Sequence, residues 1–136
     1  MSINVLTRLS DEHDTLLPLI VEIRAAAEAQ DKTALIEQLI TGRVALTHEL
    51  DAHIALEEDV AFSIIGQAIG EEMIMPFRTE HTEIRALRDE VIAQVDAGVA
   101  PFDLCLQLCD LIQAHMQRED MILFPSARDA LGAEAS

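Results

Sequence analysis

Two short patterns in this chain carry the same chemistry: His53-Ile54-Ala55-Leu56-Glu57 in the middle and His115-Met116-Gln117-Arg118-Glu119 near the end. Side chains four apart on a helix lie one above the other. Each pattern therefore aims an imidazole and a carboxylate at one point. Two further histidines, His13 and His81, stand alone on the remaining helical stretches. Four imidazoles and two carboxylates make a ligand set for two metal ions. Mixed nitrogen and oxygen donors suit iron, manganese or zinc, whereas an all-oxygen set would suit calcium or magnesium. A lone histidine on an apolar face is ordinarily a satisfied core residue, and a lone His-x-x-x-Glu pair a helix-surface contact. Six such groups on apolar seams are different, because two glutamates buried together repel and are costly to desolvate without a cation.

These groups need helices to position them, and helical periodicity runs through nearly the whole chain. In the first stretch Leu6, Leu9, His13, Leu16, Ile20, Ile23 and Ala27 share a face. Pro18 falls inside it and should kink the helix or move its start towards Ser10. A second helix should begin near Asp31, a plausible N-cap. Its seam reads Leu39, Gly42, Leu46, Leu50, His53, Glu57, Val60 and Ile64, with Gly66 and Gly70 breaking it. The third carries Phe77, His81, Ile84, Val91 and Val95, with Pro76 near its start. Pro101 should open the fourth after the turn at Gly98. That seam reads Leu104, Leu108, Leu111, His115, Glu119 and Ile122, ends at Phe124-Pro125, and leaves a short amphipathic tail around Leu131. Short connections favour an all-α, antiparallel up-down four-helix bundle. Counted from the turns, the six groups fall at one height to within roughly 3–6 Å, given a rise of ~1.5 Å per residue. His48 lies about 140° round a regular helix from His53 and should face outward.

The 136 residues suit one domain with one core. The net charge of -16 and the lack of a basic stripe argue against nucleic acid. No apolar run is long enough to span a membrane, and Met1-Ser2-Ile3-Asn4 lacks the basic start of a signal peptide, so a cytoplasmic protein is expected. Cys105 and Cys109 have the wrong spacing for a Cys-x-x-Cys motif and read as small core residues. No internal repeat is evident beyond the His-x-x-x-Glu pattern. The Glu-x-x-His pattern of ferritin-like bundles does not occur, since no histidine has a glutamate three residues before it.

In order, these residues read His, His-x-x-x-Glu, His, His-x-x-x-Glu, with flanking Glu12-His13-Asp14, Glu57-Glu58, Glu80-His81 and Glu119-Asp120-Met121-Ile122-Leu123-Phe124-Pro125. The chain thereby resembles the hemerythrin-like (HHE) cation-binding proteins over nearly its full length. The resemblance implies a single hemerythrin-like di-iron domain over residues 1–136. It makes His13, His53, His81 and His115 terminal ligands, and makes Glu57 and Glu119 bridge two irons together with an oxo or hydroxo group. Oxygen-carrying hemerythrins have a further histidine where this chain has Arg85, and use an aspartate at the position of Asp120. Asp120 would point about 140° away from His115 on a regular helix, and only a bulged helix would bring it in. The ligand set is more similar to that of the proteins that repair iron centres, which usually carry an additional N-terminal cysteine-bearing domain. Arg85 could pair with Glu57 or Glu119 or snorkel outward.

The expected function is therefore that of a non-haem di-iron protein reacting with oxygen, peroxide or nitric oxide, in stress or iron handling. The alternatives are non-catalytic iron storage, donation or sensing, and reversible oxygen carriage. The expected partners are a small diatomic or peroxide ligand and a redox or iron-acceptor protein. Either a monomer or a homodimer is compatible with the sequence.

Overall fold

The computed structural model describes residues 2–135, with side chains for residues 4–132, and every element among them is helical. Helix α1 spans Ser2–Glu28, α2 Lys32–Thr41, α3 Leu50–Leu56, α4 Phe62–Ile69, α5 Met75–Asp96, α6 Phe102–Arg118 and α7 Phe124–Ala135. Three π-helical turns, Ala45–Glu49, Glu57–Ala61 and Glu119–Leu123, join these elements, and a 3₁₀ turn covers Glu71–Met73. Helix α1 packs on α2 and α6, α5 on α6, and α4 on α7.

The elements start and stop for local reasons. The Asp31 side chain accepts a hydrogen bond from the Ala34 N–H at 3.1 Å and caps α2, as its sequence context suggests. Helix α2 stops at Gly42, whose Cα approaches Leu19 so closely that a Cβ there would sit 2.6 Å from Leu19 Cδ1. The expected second helix is thus divided into α2, α3 and α4. Gly66 lies inside α4 rather than breaking it. The break is at Gly70, whose φ of 102° is open to glycine and strained for other residues.

Two prolines behave differently from the sequence expectation. Helix α1 runs unbroken through Pro18 and does not start at Ser10. Pro18 and Asp14 are both exposed, so water can satisfy the carbonyl that the proline leaves unpaired. Pro125 does not end a helix either, because α7 continues to Ala135. Phe124 N–H donates to Glu119 O, five residues back, and Pro125 follows where the ladder returns to α spacing. The missing N–H therefore falls where the bonding pattern is already interrupted.

The π turns also shift the buried face. Each takes more residues per turn than an α-helix. Below Glu57 the core positions are consequently Ala61 and Ile65, while Val60, expected on the seam, is exposed and Ile64 only partly buried. After Glu119 it is Leu123 that is buried and Ile122 that is exposed. Cys105, Cys109 and Ile112 take core positions in α6, and both cysteines are free. Burial pushes the thiols of Cys105 and Cys109 up to about 11 and about 12, so they stay protonated and inert at neutral pH.

The apolar side chains form two clusters. One contains Ile20, Ile23, Leu35, Leu46, Ile54, Ile84 and Leu108; the other contains Leu6, Leu9, Phe62, Ile65, Phe77, Leu123 and Phe124. Along α1, α5 and the α6–α7 run, a histidine or glutamate separates residues of one cluster from residues of the other. Glu57 does the same between Ile54 and Ala61. The core is therefore divided by a polar layer. Replacing Gly70 by alanine should cost about 1–3 kcal/mol in urea unfolding through backbone strain alone, since no atom lies within 4 Å of the position a Cβ would take. An unchanged unfolding midpoint would contradict that account.

Candidate metal centre

The polar layer contains all six of the residues singled out by spacing. His13, Glu57, His81, His115 and Glu119 are buried, both glutamates completely, and His53 is nearly so. They gather into two overlapping groups. One consists of His13, His53, Glu57 and Glu119, the other of Glu57, His81, His115 and Glu119; within each, one donor atom per residue lies within 4.8 Å of the others. Glu57 and Glu119 are common to both. They begin the second and third π turns, so the turns that shift the core also set the direction of the shared carboxylates.

Each histidine is fixed from behind by a carboxylate. His13 Nδ1–H donates to Asp120 at 3.0 Å, His53 to Glu12 at 2.8 Å, His81 to Glu58 at 2.7 Å and His115 to Glu80 at 2.8 Å. An ionised carboxylate only accepts, so each Nδ1 must carry the proton. In a neutral ring the lone pair is then on Nε2. These Nε2 atoms face one another in pairs, His13 with His53 and His81 with His115, each at 3.1 Å. With neutral rings, neither atom of such a pair has a proton to offer.

The carboxylates repeat the problem. His81 Nε2 lies 2.7 Å from Glu57 Oε1, and His13 Nε2 and His115 Nε2 each lie 3.2 Å from Glu119 Oε1. None of these contacts has hydrogen-bond geometry, and all four oxygens of Glu57 and Glu119 are buried without a hydrogen-bond partner. Lone pairs thus converge from every side on two points, an arrangement that calls for cations and in which a divalent ion would suit each point.

Protons are the alternative cations. Burial opposes charge on the His115 ring, but the adjacent carboxylates of Glu119, Glu57 and Glu80 outweigh that and raise it to about 11. His13 is raised for the same reasons by Glu119 and Asp120, against the opposing effect of burial. His53 goes down, with burial dominant. The two glutamates are pushed apart: burial, then the charge of Glu57, raises Glu119 to about 7, while Glu57 is held low, against burial, by Glu119, His115 and His81.

The outer partners were only partly legible. Glu12, Glu58, Glu80 and Asp120 neighbour the predicted groups in sequence, yet each reaches a histidine on another helix. Asp120 is the clearest correction. On a regular helix it would point away; the π turn advances less per residue and brings it in. It orients His13 and lies outside both donor groups. Arg8 pairs with Glu12, Arg118 with Glu80, and Ser10 Oγ donates to Asp120 at 2.8 Å. Arg85 points outward and reaches neither Glu57 nor Glu119; its guanidinium is 3.9 Å from Glu58. His48 is exposed, as expected.

The two halves repeat one design. Glu12→His53 matches Glu80→His115, and Asp120→His13 matches Glu58→His81. Phe124 stacks on His13 with ring centroids 6.1 Å apart, as Phe62 stacks on His81 at 5.4 Å. The model of the hemerythrin HHE cation binding domain matches residues 4–127. The chain belongs to this family. Among curated proteins it is similar to the iron-sulfur cluster repair protein YtfE of Enterobacter sp. (strain 638), at 25% identity over 91% of this chain and 63% of that protein. The YtfE of Pectobacterium carotovorum is 28% identical over 90% of this chain and 62% of its own length. That of Salmonella paratyphi B is 27% identical over 91% and 63%. This HHE domain thus spans less than two thirds of the length of these relatives. No solved structure matches it closely enough to compare.

The protonation pattern gives a signed prediction for the metal-free protein. His13 and His115 bind protons more tightly folded than unfolded, so their contribution is complete below pH 6.5 and is lost as pH rises towards their folded values. The depressed His53 has the opposite sign, but acts only below pH 6.5. Unfolding free energy of the metal-free protein should fall between pH 6.5 and 9 by ~1 kcal/mol per pH unit. Metal-loaded protein should not show the fall, because cations require the same ligands deprotonated. Chemical denaturation at stepped pH with and without metal measures both; a metal-free curve that rises over this window would refute the assignment.

Proposed function

We propose that this HHE domain is a non-haem di-iron protein that reacts with oxygen, peroxide or nitric oxide. His13 and His53 would hold one iron, His81 and His115 the other, and Glu57 and Glu119 would bridge them inside an antiparallel four-helix bundle. The observation that carries this reading is the set of buried, unpartnered donors: four carboxylate oxygens and two facing pairs of Nε2 atoms. Manganese and zinc fit the same donors. Iron is favoured because the similar proteins are named for repair of iron-sulfur clusters.

When bound, the irons would supply one-electron chemistry and coordination positions left open by the protein. The chain's own groups do the rest. Asp120, Glu12, Glu58 and Glu80 fix ring orientation and tautomer, and make each Nε2 a better donor. Phe62 and Phe124 cover the faces of His81 and His13 and keep water from them. No helix among the described residues is long and apolar enough to cross a membrane, which is compatible with a cytoplasmic site of action.

A second reading has support in the names of the relatives. The domain would then hold iron for delivery to an acceptor protein, its acidic surface favouring a basic partner. Repeated turnover of peroxide with iron retained supports the first reading. Transfer of iron to a cluster-deficient acceptor without turnover supports the second.

Metal analysis should find about two irons per chain in the wild type, about the number the donor set implies. Glu57→Ala and Glu119→Ala should each lose most of the metal and the binuclear spectrum. Asp120→Asn should keep both irons with affinity ~10–100-fold weaker, as expected for a group that orients a ligand. Full occupancy in Glu119→Ala with loss in Asp120→Asn would invert the assignment. Visible spectra after anaerobic iron loading should change with oxygen, peroxide or nitric oxide; inertness to all three would remove the proposed reactivity.

A further inference from the structure

A cavity of about 340 Å³ opens between α1 on one side and the Ala45–Glu49 turn with α3 on the other. Its floor is formed by His13, His53, His81 and His115, while Glu57 and Glu119 do not line it. Its deep walls are Leu50, Ile54, Ile84, Ile112 and Met116, all buried. The mouth is bounded by Glu12, Thr15, Glu49 and Ala52. Ala45 lies eight residues before His53, so the cavity extends two turns beyond the cage along that helix.

Its size and lining are more than a diatomic gas requires. A water's share of liquid volume is about 30 Å³, and an apolar cavity of about 150 Å³ accepts benzene. This one has about twice that volume and falls within the range of pockets for small organic molecules. The lining contains no lysine or arginine, and the two residues at the mouth that carry charge are glutamates. An anion would meet repulsion there, and six carboxylates, Glu12, Glu57, Glu58, Glu80, Glu119 and Asp120, already surround the four imidazoles.

The wall is also built rather than incidental. The π turns at Glu57 and Glu119 aim the shared carboxylates; the remaining one, Ala45–Glu49, places no donor in the cage and instead forms the cavity's side. Its equivalent in the other half, the run of α6 before His115, is regular helix. Buried Arg88 secures the turn, Nη1 donating to Leu46 O at 3.2 Å and to Asp51 at 2.6 Å. π turns recur at functional sites because they displace a helix face at a cost in regular bonding.

We propose that this cavity binds a neutral, largely apolar organic molecule of roughly ten to thirteen non-hydrogen atoms, its polar end turned to the four imidazoles. Alcohols and hydroperoxides with an aryl or medium alkyl body have this chemistry. Binding needs only the cavity and is independent of which reaction the cage performs. The test uses 2-phenyl-2-propanol and, as an anion of equal size, phenylacetate. Each is titrated into the full chain, metal-free and zinc-loaded, with methyl groups of Leu50, Ile54, Ile84, Ile112 and Met116 observed by NMR. The alcohol should give saturable shifts and contacts from its ring to these methyls, and in the metal-free protein phenylacetate should bind at least about tenfold more weakly. Ala52→Phe and Thr15→Phe, on opposite sides of the exposed mouth, should each weaken the alcohol about tenfold or more while metal content stays unchanged. Should either variant misfold, the wild-type contacts decide. No saturable shift of these methyls, equal binding of the anion to the metal-free protein, or unchanged binding in both folded variants would overturn the proposal.

Discussion

Everything in this molecule accommodates one electrostatic demand: eight lone-pair-bearing atoms meet in a buried layer with too few protons among them. The four Nδ1–H groups are committed to Asp120, Glu12, Glu58 and Glu80, which leaves Nε2 opposite Nε2 and unpartnered carboxylates beside them. An apolar core would have been more stable without these groups, since burying a polar atom without a partner costs a few kcal/mol. Cations held by these groups would offset that cost. This makes the layer a site and explains why the apolar core is split into clusters on either side.

The same demand explains the bulged helices. Regular α spacing lets residues four apart stack, but it does not bring two glutamates to one point and keep both flanks of their helices packed. The turns at Glu57 and Glu119 solve this by adding width where the shared carboxylates project. The next apolar residues then shift, so that Ala61, Ile65 and Leu123 carry the core contacts. The phenylalanine five residues after each glutamate closes the turn and reaches a histidine of a different helix. Site and core are therefore parts of one geometric solution.

This coupling decides what could be read from the residues alone. Spacing located all six donor groups, because same-face stacking depends only on short helical intervals that no bulge interrupts. Helix content and the seams of α1 and α5 followed from three-four periodicity for the same reason. Several failures lay downstream of a bulge: Val60 and Ile122 on the wrong face, Asp120 turned outward, Pro125 as a terminator; the expected kink at Pro18 and the partly buried Leu104 and Leu111 failed in regular helix. The first π turn also left no sign, since Ala45-Leu46-Thr47-His48-Glu49 reads as ordinary helix. A π turn is a response to tertiary demands, and one chain's periodicity does not record it. The carboxylates behind the histidines were visible as neighbours but not as partners, because each serves a ring on another helix.

The near two-fold likeness of the halves sharpens the meaning of their differences. Paired donors, paired orienting carboxylates and paired phenylalanines all repeat, as expected if two cations of one kind are held in one way. Arg85 stands outside that scheme: it projects to solvent near Glu58 and adds no donor to either group. Each cation would then have the same two-histidine supply, unlike the unequal supply that a further histidine at this position would create. What breaks the symmetry lies beside the cage, where Arg88 braces a bulge and the wall of a cavity has no counterpart on α6. Two alike donor groups with a cavity on one side would let the protein, rather than the coordination, select which side of the pair a visitor approaches.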